Sequence, residues 1–398
     1  MENRVVVTGM GIISSIGDTV GENLVSLRLE KPGISRIEHL DTRHRTTIKV
    51  GEIKMSNDDF VKKLHLSSDN NYSRTAMLAE YAAREACFDA KLKDPKTYRT
   101  GLISSTSVAG MDMTEKYFYS QLNENRNRKY IESHPANDAT SKVAKALGID
   151  GFVTTISTAC SSSANAIMLG SRMIKSGQLD RVVVGGSDCL SKFTINGFKS
   201  LMILSESACR PFDANRTGLN LGEAAAFLVL ENEDIAKREQ KKILARVSGY
   251  ANANDAFHQT ASSENGDGAA LAMTGALESA GLRSTDIDYI NAHGTATANN
   301  DLSESKAILR VFGKEVPYLS STKAFTGHTL AAAAAVEAVY SILALQEQTI
   351  WPNLNFGEVI QETGIEPVTN VLHTSIEHVL SNSFGFGGNC STLIFSKA

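Results

Sequence analysis

The chain carries no marked excess of either charge: 40 Lys and Arg stand against 44 Asp and Glu, a formal net charge of −4 over 398 residues. That balance excludes a typical nucleic-acid binder, whose phosphate contacts need clustered Lys and Arg. Cysteine is scarce and odd in number. Cys87, Cys160, Cys189, Cys209 and Cys390 lie at spacings unlike a disulfide framework, which suits a reducing, cytoplasmic setting. No basic-then-apolar leader precedes Val5-Val6-Val7-Thr8-Gly9, and that segment reads as a first strand. The same region lacks the third glycine of a dinucleotide-binding loop, because position 14 is Ser14, so no nicotinamide site is expected. Val184-Gly185-Gly186 reads as a strand end. The apolar stretch Leu330 to Leu345 is interrupted by Glu337 and is shorter than the roughly 20 residues that span a bilayer, so no membrane segment is expected. Low-complexity tracts and clear internal repeats are also missing.

What is present is a chain long enough for two domains or one duplicated core. Short apolar strands alternate with helical patterns, which implies an α/β fold. In the first half, strands are expected near Arg4 to Thr8, Thr100 to Ser104, Arg181 to Gly185 and Ala224 to Leu230, with a helix from about Ser73 to Ala90. The charged stretch Glu231 to Lys242 closes this half. A second series follows, with strands near Leu244 to Tyr250, Ile287 to Ala292, Tyr318 to Ser320, His378 to Ser383 and Ser391 to Phe395, and an Ala-rich helix from Thr329 to about Gln346.

Three polar islands interrupt this pattern. In Thr154-Thr155-Ile156-Ser157-Thr158-Ala159-Cys160-Ser161-Ser162-Ser163 a β-branched run gives way to helical spacing at the thiol. Backbone amides and the positive end of the helix dipole are expected to favour thiolate over thiol there. Free cysteines are more often buried and inert, but two histidine segments accompany this one: Asn291-Ala292-His293-Gly294-Thr295 and Lys323-Ala324-Phe325-Thr326-Gly327-His328. Cys160, His293 and His328 together form a nucleophile with two hydrogen-bonding partners. Glu337 sits in an alanine-rich helix, where a charge is costly unless paired. It serves either as a salt-bridge partner that holds the loop or in catalysis directly.

On these motifs the sequence resembles the β-ketoacyl-acyl-carrier-protein synthases, the condensing enzymes of the thiolase superfamily. The resemblance runs nearly end to end. Thr158-Ala159-Cys160-Ser161-Ser162-Ser163 matches the nucleophile motif, and the two histidine segments match theirs, with Lys323 at the motif lysine. Arg210-Pro211-Phe212-Asp213 with Arg216, Gly218, Gly222 and Glu223, and the closing Asn382-Ser383-Phe384-Gly385-Phe386-Gly387-Gly388, fit as well.

The resemblance implies a thiolase-like fold of two similar halves, residues 1–240 carrying the nucleophile and 241–398 the histidines, packed as layers α-β-α-β-α and usually dimeric. It implies a decarboxylative condensation of a malonyl thioester with an acyl chain held on Cys160, in fatty acid or polyketide biosynthesis. His293 and His328 would stabilise the enolate, and the backbone N–H groups of Cys160 and Phe386 the tetrahedral oxygen, with Phe386 also gating. Asp301 and Glu304 would orient loops and flank a monovalent cation. Thr260, Thr295 and Thr297 would line the tunnel for the phosphopantetheine arm, and Val108 and the Tyr130-Ile131 segment the acyl pocket. No other cofactor and no catalytic metal is implied. The partners would be an acyl carrier protein and a second ketosynthase-like subunit, identical or related.

Three departures from the family pattern stand out. Leu330-Ala331-Ala332-Ala333-Ala334-Ala335 replaces a glycine-containing helix start. Asn389-Cys390 follows Gly387-Gly388 where Thr-Asn is usual, so the loop's hydrogen bonding is expected to differ. The usual basic carrier-docking residues are replaced by Ser67-Ser68-Asp69 and Met202, leaving Lys62, Lys63 and Lys199 as substitutes. With the polar segment Glu132 to Asp138, these departures suggest a specialised member of a polyketide or aryl-polyene-like pathway. A silent chain-length partner subunit and a degradative thiolase are the alternatives. The first typically lacks the cysteine, and the second needs another catalytic cysteine in a setting that Cys390 does not have.

Overall fold

The computed structural model describes residues 4–398. Ten strands form the main sheet: β1 (Val5–Ile13), β2 (Thr100–Ser105), β3 (Val153–Ile156), β4 (Arg181–Asp188), β5 (Ala224–Asn232), β6 (Ala245–Asn254), β7 (Tyr289–Asn291), β8 (Tyr318–Ser320), β9 (His378–Gly385) and β10 (Asn389–Ser396). Seven helices matter for the site: α1 (Arg74–Asp89), α2 (Ala136–Leu147), α3 (Ser162–Lys175), α4 (Lys192–Ser200), α5 (Asp267–Ala280), α6 (Ala298–Phe312) and α7 (Ala333–Glu347).

The strand order is β8-β7-β9-β10-β6-β1-β5-β4-β2-β3. Read outward from the centre, β1-β5-β4-β2-β3 and β6-β10-β9-β7-β8 are the same arrangement, antiparallel at the first two pairings and parallel at the last two. The two halves join through the short antiparallel pairing of Val6 and Val7 with Arg246 and Ala245. The duplication that the sequence hides is thus explicit in the topology.

Helices fill three layers. α1 and α2 cover the outer face of the first half, α5 and α6 that of the second, and α3 and α7 pack between the two. Every residue of α7 from Ala333 to Leu345 is buried, which explains its unbroken apolar character: a helix apolar all round needs protein on all sides. With the preceding turn, the stretch Leu330–Glu347 is long and apolar enough to cross a membrane by composition, yet 89% of it is buried inside the fold.

Several strands run longer than the sequence pattern suggests. β1 continues through Gly9 and Gly11 to Ile13 because α1 lies directly against it. A Cβ at Gly11 would fall 2.1 Å from the Ala82 carbonyl oxygen, and one at Gly9 2.4 Å from that of Ala86. Gly185 and Gly186 likewise lie inside β4 and do not end it; a Cβ at Gly185 would meet the Ala226 carbonyl oxygen of the next strand at 2.1 Å. The charged stretch does not begin where β5 ends: Glu231 is still in the strand, buried in ion pairs with Arg181 and Lys241. The last helix starts at Ala333 and not at Thr329, because Leu330 has a left-handed φ of 54° and a 3-10 turn spans Leu330–Ala332.

Candidate active site

The nucleophile turn connects edge strand β3 to central helix α3. Ala159, immediately before Cys160, adopts a φ of 52°, a conformation that costs a non-glycine residue about 1–3 kcal/mol and clusters at functional sites. The turn is held on both sides. Thr158 N–H donates to Ser162 Oγ (2.8 Å), and Ser162 Oγ donates to the Ala159 carbonyl (2.5 Å). The effect is to set Cys160, 5% exposed, at the floor of an open cavity of about 300 Å³.

His328 lies across from it, with Nε2 3.0 Å from the Cys160 Sγ. His293 stands edge-on to His328, ring centroids 5.4 Å apart at 86°. The sulfur and the two imidazole ligand atoms lie within 4.8 Å of one another. These are donor types and spacings that a thiophilic divalent ion accepts, but such an ion would occupy the very atoms a nucleophilic reaction uses.

Behind His293, the Lys323 ammonium donates to the His293 carbonyl (2.5 Å), contacts His293 Nδ1 at 3.4 Å, and forms a buried ion pair with Glu337. Glu337 also accepts from Ser383 Oγ at 3.3 Å. A cation facing Nδ1 leaves the proton of a neutral ring on Nε2. His328 Nδ1 is buried without a partner among the described residues. An unpaired acceptor is tolerated more readily than an unpaired N–H, so the stable tautomer again carries its proton on Nε2. Burial, and then the Lys323 charge, hold both imidazoles well below the ordinary histidine range, and His328 depresses His293 further. At neutral pH the site therefore offers two neutral N–H donors.

The sulfur departs from the sequence expectation. Burial pushes the Cys160 thiol up to about 11, against which the Lys323 charge and the backbone N–H groups of Phe386 and Cys160 act only in part. The start of α3 does not overcome desolvation, and the resting state is a thiol. Both N–H groups point at Sγ, which places two backbone donors at the reacting atom.

Phe386 lies in the loop between β9 and β10, stacked on Phe198 of α4 with centroids 5.8 Å apart. Gly387 and Gly388 follow with φ of 86° and 84°. Gly385 allows the close approach, since a Cβ there would sit 2.8 Å from the Thr158 carbonyl oxygen and 3.3 Å from Cys160 N. Thr260, Thr295 and Thr297 all line the cavity, and the Thr295 and Thr297 hydroxyls are 2.9 Å apart.

Glu304 accepts from the N–H groups of His293 and Gly294, each at 2.8 Å, and from Asn382 Nδ2 at 3.2 Å. Burial raises its carboxyl to about 7. Asp301 accepts from Phe212 N–H (2.7 Å) and Ala296 N–H (3.1 Å). Both carboxylates thus brace the first histidine loop. They face N–H groups, a surrounding that does not fit a cation held between them. Val108 packs in an apolar cluster with Leu190, Ile195 and Leu330, and Tyr130 stacks on Tyr117 at 4.2 Å; neither lines the cavity around Cys160.

One structural residue escaped the sequence reading, and another was read only as a change in the loop's hydrogen bonding. Buried Asp188, at the end of β4, accepts from Ser107 N–H (3.0 Å), Val108 N–H (3.1 Å) and Ala331 N–H (2.8 Å), joining the loops on either side of the site. Asn389 gathers donors from three elements. Nothing local names the partners of either, because these lie 80 or more residues away in sequence.

A duplicated layered fold with a cysteine at a strand-helix elbow and two neutral histidines over it defines a condensing enzyme of the thiolase-like class. Residues 2–236 match the family model of the beta-ketoacyl synthase N-terminal domain and residues 244–357 that of the C-terminal domain; the chain belongs to the β-ketoacyl synthase family. A 3-oxoacyl-[acyl-carrier-protein] synthase 2 of Staphylococcus aureus is 33% identical over 410 residues, covering 99% of this chain and 98% of the relative. Among solved structures, the ishigamide ketosynthase/chain length factor superposes with a TM-score of 0.93 at 31% identity, with both chains covered in full. A type II polyketide ketosynthase in complex with its acyl carrier protein, bound to the hexaketide, has a TM-score of 0.87 at 28% identity, again over the whole of both chains.

Proposed function

We propose that this protein is a β-ketoacyl-acyl-carrier-protein synthase, in which residues 1–240 supply the nucleophile and 241–398 the histidines. The observation that carries the reading is the 3.0 Å contact of His328 Nε2 with Cys160 Sγ, with His293 beside it. In the first half-reaction Cys160 Sγ attacks an acyl thioester. The new C–S bond forms as the carrier's C–S bond breaks, and the thiol proton leaves on the carrier sulfur. Acylation removes sulfur as a hydrogen-bond acceptor, which frees the His328 N–H.

In the second half-reaction the malonyl carboxylate leaves as carbon dioxide, and the enolate oxygen takes the two Nε2–H donors. The enolate carbon attacks the acyl carbonyl, whose oxygen is held by the N–H groups of Cys160 and Phe386. The C–C bond forms, the C–S bond to Cys160 breaks, and the departing thiolate recovers a proton from solvent. Neutral histidines suit this role, because they lend hydrogen bonds without protonating the carbanion.

The substrates arrive on the phosphopantetheine arm of a carrier protein, with Thr260, Thr295 and Thr297 along its path. The second subunit is a copy of this chain or a related one, as in the ketosynthase/chain length factor pairs it resembles. A soluble carrier supports a cytoplasmic setting. Mass spectrometry of the protein incubated with acyl and malonyl carriers tests the reading: it expects an acyl mass on Cys160 that malonyl carrier then discharges as a chain two carbons longer.

A further inference from the structure

The loop that carries Phe386 departs from the family pattern at Asn389, and this residue is the junction of a side-chain network beneath the nucleophile. Asn389 Oδ1 lies 2.7 Å from Asn252 Nδ2 on β6, 2.9 Å from Asn165 Nδ2 on α3 and 2.7 Å from Ser161 Oγ beside the thiol. Asn165 Nδ2 also donates to Thr158 Oγ1 at 2.8 Å, and Ser161 Oγ stands 2.7 Å from the Thr158 carbonyl oxygen. Two amide donors fill the two lone pairs of Oδ1, and the serine shares its single proton between the loop and the elbow. One oxygen therefore ties together strand β6, helix α3 and the turn around Ala159 with its φ of 52°.

The geometry points to Asn389 as a positioning residue for the oxyanion site. Phe386 N–H belongs to the β9–β10 loop and Cys160 N–H to the elbow, so their spacing depends on what joins the two segments. Beside backbone packing at Gly385, the short side-chain contacts of that join meet at the Asn389 carbonyl, with Asn165 Oδ1 adding contacts to Asn252 Nδ2 (3.1 Å) and Ser391 Oγ (3.4 Å). On its other side the loop is held only through backbone, Gly387 N–H donating to the Gln259 carbonyl and Asp255 N–H to the Gly388 carbonyl, each at 2.8 Å, at two glycines whose left-handed φ permits movement. A small displacement of one donor is costly, because hydrogen bonds to a developing oxyanion act only at close range. This inference rests on the condensing-enzyme reading.

The test uses the full-length protein and compares Asn389→Leu with Asn389→Asp. Leucine removes the acceptor at similar size, whereas aspartate keeps an oxygen for the same donors. Transfer of an acyl chain from carrier to Cys160 should fall at least about tenfold in Asn389→Leu and return to within about threefold in Asn389→Asp, with carrier KM unchanged in both. Alkylation of Cys160 by iodoacetamide forms no oxyanion and loses only the partial support that the Phe386 N–H gives the sulfur, so it should stay within about threefold in Asn389→Leu. Unchanged acyl transfer in Asn389→Leu would overturn the assignment. So would parallel loss of transfer and alkylation, or failure of aspartate to restore transfer. If the unsubstituted protein took up no acyl chain from any carrier, the condensing-enzyme reading itself would fall, a result distinct from the others.

Discussion

The two halves of the molecule share a strand order but differ at one equivalent connection, and the chemistry lies in that difference. In the first half, β3 passes to central helix α3 through residues 157–161, a tight elbow that presents one thiol. In the second, β8 passes to α7 through residues 321–332, a longer path that presents Lys323 and His328. Both connections use a non-glycine residue at positive φ, Ala159 in one and Leu330 in the other. The duplicated scaffold thus aims two connections at one point, and their lengths decide whether each offers a nucleophile or a charged and hydrogen-bonding lining. His293, from the loop after β7, completes the second set.

The largest expected effect comes from removing the one group that only the first half supplies. Cys160→Ala should abolish acyl uptake and condensation, a loss of about 10³-fold or more for a covalent nucleophile, read by intact-protein mass and product formation. Acyl uptake persisting at another residue would break the division between halves. Removing the second half's contribution should separate the two steps. His293→Ala and His328→Ala should each lower condensation about 10²–10³-fold, the usual effect of losing one transition-state donor. Both should still accept an acyl chain, with His328→Ala the slower because its Nε2 contacts the sulfur.

A smaller effect, on stability, tests whether the second connection depends on its ion pair. Lys323→Met leaves Glu337 charged and unpaired where both side chains are 3% exposed, and breaking a buried pair costs about 3–5 kcal/mol. Lys323→Met combined with Glu337→Leu should recover most of that loss in thermal or denaturant unfolding, without recovering activity. If the double variant were no more stable than the single one, the pair would not be what holds the connection.

The pH dependence of the thiol follows from its environment. With the thiol raised to about 11 by burial, alkylation of Cys160 should accelerate about tenfold per pH unit from pH 7 towards 10, since the reactive thiolate fraction grows with each unit below the pKa. A plateau by pH 8 would mean that the helix start, and not burial, governs the sulfur. The smallest effect concerns docking. Lys62 and Lys199 are exposed, while Lys63 lies 3.7 Å from Asp18. Reversing the first two charges should weaken carrier binding at low salt and flatten its salt dependence, because steering is screened over about 8 Å at physiological ionic strength. Activity on a short pantetheine thioester should survive.

The sequence made much of this legible, for a physical reason: reactive side chains must sit where strands end, and such ends show as polar islands in apolar surroundings. Cys160, His293, His328 and Lys323 stood out that way, and the structure brings them together. The cost of a lone charge in an alanine helix marked Glu337 as either paired or catalytic, and the fold supplies Lys323 as its partner. Gly185 read as a strand end, and the run of β1 past Gly9 and Gly11 was not foreseen, because close packing of a helix or a neighbouring strand against a backbone leaves no pattern in sequence. The state of the Cys160 sulfur was misjudged, since burial is a property of the whole fold and outweighs the local helix start. Asp188 went unseen, and the partners of Asn389, which stood out only as a change in loop hydrogen bonding, could not be named, because those partners come from distant strands and loops.

The most direct test is the acyl mass on Cys160 in the His293→Ala variant after exposure first to an acyl carrier and then to a malonyl carrier. The account predicts uptake on Cys160 at close to the unsubstituted rate, followed by retention of the acyl chain, because the nucleophile of the first half is intact and the enolate-stabilising pair of the second is not. Discharge of the chain into an extended product at the unsubstituted rate, or failure to take up the chain in a folded protein, would contradict it.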